Sequence, residues 1–595
     1  YEDLFESLFQ FYRNPLDLNK ATRADLQNLY LLSEDQINSL LKHRQKYGDL
    51  LSIYELQAVE GFDYLLIQKI LPFVVVKEAG TLADTRSLWE RIRKEENQFV
   101  LTRLERTLEA RKGFIPRPQG DTDTSPRAAF AGSPEKLYTR YRSSRTNDFS
   151  IGFTMEKDPG ERNGWNPARR QYGMDFLSYH ATFYNKGNFK AIALGDYNLQ
   201  IGQGLLLAGG FQLGKGAETT LAVRRNTRGI LPYTSALEFG FFRGAAATYQ
   251  LNRRIDLTAF YSHRFRDSTF TQTGLHRTKT ELQRRAAIRE QVYGGHLTYR
   301  NRANTFASGI TAYYLLLSDS IGSARLQPYN QFSFRNDRLL ALGADFTYNY
   351  QNFNFFGEIA HTSSNQQGIG AVVGFVSSLS RTVEYALLFR HYARDFHTLY
   401  GNAFGENTTN LNETGIYMGI KIKPNKKWTL AAYYDNFRFP WMRYLADAPS
   451  VGFDWLARLS YQPNKQLLLY LQYRYEEKAR NLRENTTKID FTVPTTRRQY
   501  LFNVRYKAND FINLQSRLQG TIYKQDTAHV SEGFLLFQDI DFIISRQLTI
   551  STRLAVFDTD TYDARQYAYE KNVLYAFAFP AYYGIGIRNY YLVHY

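Results

Sequence analysis

The chain has no cysteine, which excludes disulfide frameworks, thiolate zinc sites and cysteine nucleophiles outright. It has no run of about 18 apolar residues, the length a helix needs to cross a bilayer. Its best attempt, "LLIQKILPFVVV" at 65–76, is short and carries Gln68, Lys69 and Pro72. Nothing at the front reads as a signal peptide: the chain opens at Tyr1 with acidic Glu2 and Asp3, as a mature or trimmed N-terminus would. No unit of fixed length repeats, which argues against a propeller or another soluble repeat fold.

Aromatic residues are what it has in quantity. Tyr (45) and Phe (43) far outnumber Trp (5), and aromatics reach 16% of 595 residues while mean hydropathy stays at −0.45. Apolar side chains are therefore dispersed among polar ones, as in a transmembrane β-barrel, whose strands alternate lipid-facing and lumen-facing residues. The net charge of +17, from 74 Lys and Arg against 57 Asp and Glu, suits nucleic acid, anionic lipid headgroups or an anionic solute. It does not choose among them.

From about Asn97 onward the period is two. Phe453, Trp455, Ala457, Leu459 and Tyr461 alternate with Asp454, Leu456, Arg458 and Ser460. Past a turn at 462–465, Leu467, Leu469, Leu471, Tyr473 and Tyr475 alternate with Tyr470, Gln472, Arg474 and Glu476. That is a hairpin with one wholly apolar face. Tight turns at 185–188, 251–254, 300–303, 350–353, 424–427, 463–466 and 507–510 alternate with long polar stretches at 158–172, 200–236, 265–287, 317–338, 394–410 and 478–496. Short turns at one end and long loops at the other mark an outer-membrane barrel. The expected fold class is mainly β, a large antiparallel transmembrane β-barrel of roughly 22–24 strands at about ten residues each. The tally comes out odd where single-chain bacterial barrels are even, so one strand is miscounted or a last one is lacking.

The front of the chain has helical spacing instead. Thr22 with Asp25, Ser33 with Gln36, and Ser52 with Glu55 fit helix-starting boxes. Leu26, Leu29, Ile37, Leu40, Leu41, Leu56, Val59, Leu66, Ile67 and Ile70 supply the apolar faces. The expected division is a helical domain over 1–77, a helical linker over 78–96 and the barrel over 97–595.

Few motifs point to chemistry. Gly209, followed after four residues by Gly214 and Lys215, is nearly a phosphate loop, but Gly216 stands where Ser or Thr must hold magnesium and no α/β context surrounds it. The better reading is a glycine-rich segment that folds inward from the wall as a gate or plug, with Gly202, Gln203 and Gly204 permitting the tight turn and Gly209 and Gly214 beyond it. His391 and His397 have no spacing that suits a metal, so no metal or other cofactor is expected. No nucleophile, base and orienting group can be assembled, so an enzyme is not expected. Arg458, Arg474, Arg505, Lys507 and Arg517 fall on the polar strand faces and would line the lumen. They either attract an anion or pair with acids across strands. Basic loops add Arg169, Arg170, Arg224, Arg225, Arg228, Arg277, Arg284, Arg285 and Arg289.

The blocks "LNKATRADL" and "HRQKYGDLLSIYEL" make the front resemble the helix-hairpin-helix module of the ComEA type over about sixty residues. The resemblance implies hairpins whose two glycines let backbone N–H groups approach DNA phosphates at a helix N-terminus. Here the first hairpin reads Leu31, Leu32, Ser33, and the second keeps Gly61 but has Asp63 for the other glycine. A leucine blocks the approach and an aspartate repels the phosphate. Lys42, Arg44 and Lys46 remain as residual backbone contacts or as part of a docking face. With "LGDYNLQIGQGLLLAGGFQLGKG", "EFGFFRGAAATY" and "YAYEKNVLYAFAFPAYYGIGIRNYYL" further along, most of the chain is similar to a family of helix-hairpin-helix outer-membrane proteins from Bacteroidota. That family implies a bacterial outer-membrane location with the front domain in the periplasm, in contact with outer-membrane lipid and lipopolysaccharide. It leaves two functions open: an accessory subunit that docks other outer-membrane or periplasmic proteins, or a pore for DNA or another anionic solute.

Overall fold

The computed structural model describes residues 11–12, 15–76, 86–115, 129–209, 214–268, 274–321, 326–482, 489–525 and 529–595. The first part of the expected linker, 78–85, lies outside the described residues.

Among the described residues, three α-helices of six residues or more build the front unit: α1 (Arg23–Asn28), α2 (Glu34–Tyr47) and α3 (Tyr64–Ile70). Thr22 and Ser33 each close a reciprocal capping box, with Asp25 and Gln36 respectively. Ser52 does not cap: Ile53–Ala58 is a 3₁₀ turn, and Glu55 instead accepts the Leu51 amide and contacts His43. Leu18, Leu26, Leu29, Leu40, Leu56 and Ile70 are fully buried in one core. A two-residue parallel pair, Leu16–Asp17 with Val74–Val75, ties the unit's ends together. A fourth helix, α4 (Leu88–Arg93), leads into the barrel.

Twenty-two strands of the described residues form the barrel. They are β1 (Gln98–Glu105), β2 (Lys136–Arg145), β3 (Phe149–Lys157), β4 (Phe176–Lys186), β5 (Phe189–Gln200) and β6 (Phe242–Asn252). β7 (Ile255–Arg266), β8 (Ile288–Arg300), β9 (Phe306–Leu317), β10 (Arg338–Tyr350), β11 (Phe353–Ser363) and β12 (Gln367–Ser380) follow. Next come β13 (Val383–Tyr392), β14 (Glu413–Ile422), β15 (Trp428–Phe439), β16 (Ser450–Tyr461) and β17 (Leu467–Asn481). The last are β18 (Thr492–Lys507), β19 (Ile512–Gln525), β20 (His529–Ile543), β21 (Thr549–Thr559) and β22 (Ile585–His594). Consecutive strands pair antiparallel and the sheet closes with β1 beside β22. The number is even, as it is in single-chain bacterial outer-membrane barrels. β17 and β18 run into 478–496, where alternation alone places a loop.

The tight turns all fall at the end where the helical unit sits, and both β1 and β22 have their outer ends there. Outward side chains such as Tyr500, Phe502, Leu518 and Leu536 stay about half exposed, at 45, 45, 50 and 50%, which is the apolar belt a bilayer requires. Inside the seam between β1 and β22, Tyr575 of the last long loop stacks on Phe99 and accepts a hydrogen bond from Arg103.

Candidate functional site

On the side of β5 to β16, segments of the chain itself pack inside the barrel. After β5 the segment from Ile201 onward turns into the lumen, with Gly202 and Gly204 at φ of +59° and +84°, conformations that favour glycine. The Gln203 and Leu205 amides donate to one carboxylate of the wall, Glu358, at 2.6 and 3.1 Å. Leu205, Leu206 and Leu207 are wholly buried. They pack with Phe242, Tyr313, Leu339, Phe356, Tyr392 and Phe396 into a hydrophobic core in the lumen. A second loop between β13 and β14 closes on the first: Tyr400 stacks on Phe242 and its carbonyl accepts the Ala208 amide.

Wall glycines are the seats for these loops. A Cβ at Gly419 would collide with the Thr219 carbonyl, one at Gly368 with the Phe396 backbone, and one at Gly343 with Leu206. Gly209 donates its amide to Leu199, and Gly214 lies in open space before Lys215. Lys215 is itself consumed. It pairs with Glu406, with Asp435 at 2.8 Å and with Asp454 at 3.3 Å, and is only 9% exposed. A lysine held by three carboxylates is no phosphate ligand. Beside it, buried Arg390 bridges Glu413 and Asp435.

Arg458, Arg474, Arg505, Lys507 and Arg517 lie on one stretch of wall formed by β16 to β19. Arg474 is neutralised by Asp454 at 2.7 Å, and Lys507 pairs with Asp510 at the turn. Arg458 donates to Gln472, Arg505 to Gln515, and Arg517 to Asn503 and the Tyr470 hydroxyl.

The helical unit rests on the mouth of the barrel at the short-turn end. Glu34, at the start of α2, accepts a 2.7 Å ion pair from Arg224 of the inward segment and a 3.0 Å one from Arg23. Arg224 also donates to Asn354 of the wall. The Asp35 amide donates to Ser378 and Asn38 to the Gln351 carbonyl. Glu60 pairs with Arg381, and Lys465 lies over the Tyr64 ring. Positions 31–33 and 61–63, where hairpin glycines would meet a phosphate, are therefore flanked by contacts with the barrel. Burial alone would raise the Glu34 carboxyl, but Arg224 and Arg23 outweigh it and hold it below the usual carboxylate range. Arg44 donates to the Ala21 and Asn19 carbonyls, and Gly61 accepts from Gln36. Lys42 and Lys46 are exposed.

At the long-loop end, a cluster that no spacing in the sequence reveals joins three distant carboxylates to one histidine. His276 contacts Asp175 at 2.5 Å and Asp267 at 2.8 Å, while its amide donates to Glu161. Glu161, Asp175 and His276 bring their oxygen and nitrogen atoms within 4.8 Å of one another. Burial opposes the charge on His276, but the two aspartates raise it to about 10, so the imidazole is protonated and both its nitrogens donate. That is a clasp between loops rather than a metal ligand.

No protein-family model matches the chain, and no curated protein does. Solved structures of outer-membrane β-barrels do. The outer-membrane expressed OmpT of Vibrio cholerae shares 9% identity over 57% of this chain and 99% of its own, with a TM-score of 0.26. A BenF-like porin from Pseudomonas fluorescens Pf-5 shares 10% over 57% and 98%, with a TM-score of 0.26. The FpvAI–pyocin S2 complex shares 8% over 78% and 62%, with a TM-score of 0.34. At such scores these likenesses bear no weight, and the barrel assignment rests on the ladders and outward faces described above.

Proposed function

We propose that the chain is a non-enzymatic barrel of the bacterial outer membrane that acts as an accessory or scaffold subunit of an outer-membrane assembly or secretion complex. Its helical unit, on the short-turn and hence periplasmic side, docks the partner. The observation that carries this reading is the free face of that unit. Tyr47, Leu51 and Tyr54 are 63, 84 and 76% exposed, an apolar patch on a face in water. α2 is about 21 Å long, so Tyr47 at its far end stands well clear of Glu34 at the barrel. Native mass spectrometry of the protein drawn from its own outer membrane after nuclease treatment tests this. A stoichiometric protein partner is expected, lost in a Leu51→Asp, Tyr54→Ala variant that folds normally. A chain that flies alone contradicts the reading.

Arg505 and Arg517, which donate in the lumen to neutral acceptors, favour a second reading, a pore for DNA or another anionic solute. It predicts DNA affinity that falls steeply with salt and disappears on replacing Arg505 and Arg517. The loops packed into the lumen and the missing hairpin glycines count against it.

A further inference from the structure

Consecutive strands share a ladder all along the wall until its two ends meet. β22 is paired with β21 from Ile585 to His594, and β1 with β2 from Gln98 to Glu105. The ring sets β22 and β1 side by side, yet among the described residues no ladder joins them. Each strand therefore has one satisfied edge and one edge turned toward the seam.

The side chains register the same break. Ile585, Ile587, Tyr591 and Val593 point outward from β22 and are 85, 71, 74 and 62% exposed, and Val100 and Leu104 of β1 are 69 and 66% exposed. Phe502 and Leu536, which have a strand on either side, reach only 45 and 50%. A strand residue is normally covered by cross-strand neighbours on both sides, and here one side is missing. Neither strand contains the proline or lysine that commonly blunts a free edge.

From inside, the last long loop braces both strands. Toward β1, Tyr575 stacks on Phe99 with ring centres 6.0 Å apart, and its carbonyl accepts from Arg103 at 2.7 Å. Toward β22, Arg588 grips Glu570 through bonds of 2.6 and 2.9 Å, and the Tyr590 hydroxyl accepts the Lys571 amide at 3.4 Å. These contacts reach side chains on the lumen face. They do not supply the backbone partners that the two edges require. Lipid tails cannot supply them either, so inside a bilayer only another strand can.

We propose that this seam docks a transmembrane β-hairpin of another outer-membrane protein, laid between β22 and β1. Strand addition to an exposed edge is an established mode of recognition, and direction fixes the number of strands here. β22 runs toward the short-turn end and β1 runs away from it, so one added strand is antiparallel to only one of them. Two added strands are antiparallel to both and keep the total even. The chemistry of the partner follows: two consecutive segments of about nine to eleven residues, the length that crosses a bilayer, apolar outward and polar inward in alternation. The seam belongs to the wall, and its reading does not rest on what the helical unit docks.

The test is photo-crosslinking of the full chain in its own outer membrane, with a benzophenone side chain placed at Ile587, at Val100 or, as a control, at Leu536. Trapped peptides are identified by mass spectrometry. Ile587 and Val100 are expected to trap the same protein at two consecutive membrane strands, and Leu536 to trap no protein. The same pair of crosslinks is expected in the Leu51→Asp, Tyr54→Ala variant, so failure of the docking face and failure of the seam are told apart; their loss there overturns the seam as a site of its own. Capture of lipid alone, of a second copy of this chain, or of segments that are not membrane strands overturns the hairpin as occupant. Equal capture at Leu536 overturns the seam itself.

Discussion

Glu34 shows how one side chain redirects a scaffold. A helix N-terminus is a ready anion site, and here the chain supplies its own anion and pairs it with Arg224 and Arg23. Breaking a buried pair from one side costs about 3–5 kcal/mol because the remaining charge is stranded. Glu34→Ala is therefore expected to free the helical unit from the barrel mouth, seen as faster proteolysis at the connection near Arg86. The pH dependence has a definite sign. A carboxyl held below its ordinary value of 4.5 contributes stability above that value and loses it as pH falls through the lower, folded one. The unit should stay docked at neutral pH and loosen only in acid. Unchanged proteolysis in both experiments would remove Glu34 from the interface. The sequence marks the lost hairpin glycines plainly. It is silent on Arg224, because 190 residues separate the partners.

The inward segment is the element on which closure of the lumen depends. Gly202 and Gly204 could be read from the sequence as a tight turn, since few other residues tolerate such φ values. The seats could not: Gly419, Gly368 and Gly343 look like any strand glycine until the loop backbone is seen against them. Gly419→Val pushes a side chain into the Thr219 carbonyl, an overpacking that costs about 1–3 kcal/mol. It should lower the melting temperature and raise hydrogen exchange in 201–223; exchange that stays unchanged would mean that the loop is not seated there. Strands were legible where one face meets lipid, because the alternation of apolar and polar residues is then enforced. In β17 the outward positions turn to Glu477 and Ala479, where lipid no longer selects them, and the strand reads as loop although its ladder runs on to Asn481. The lumen charges Asp454 and Arg474 stand on the polar faces read from the sequence, but their network needs Asp435 and Lys215, which that reading does not place.

At the scale of the molecule, the same physics that makes the barrel legible hides its state. Period two gives a wide cylinder, and a cylinder of 22 strands is large enough to conduct if its centre is empty. Whether the centre is filled depends on contacts such as Tyr400 on Phe242 and Glu358 on the 203–205 amides, which join distant stretches with no local signature. Electrical recording from the purified full chain in planar bilayers decides between the two. A lumen closed by its own loops predicts no steady conductance, with steps appearing only when the inward segment 201–228 is deleted. Stable, ohmic steps from the intact chain at low voltage would contradict the closed lumen and return the pore reading to first place.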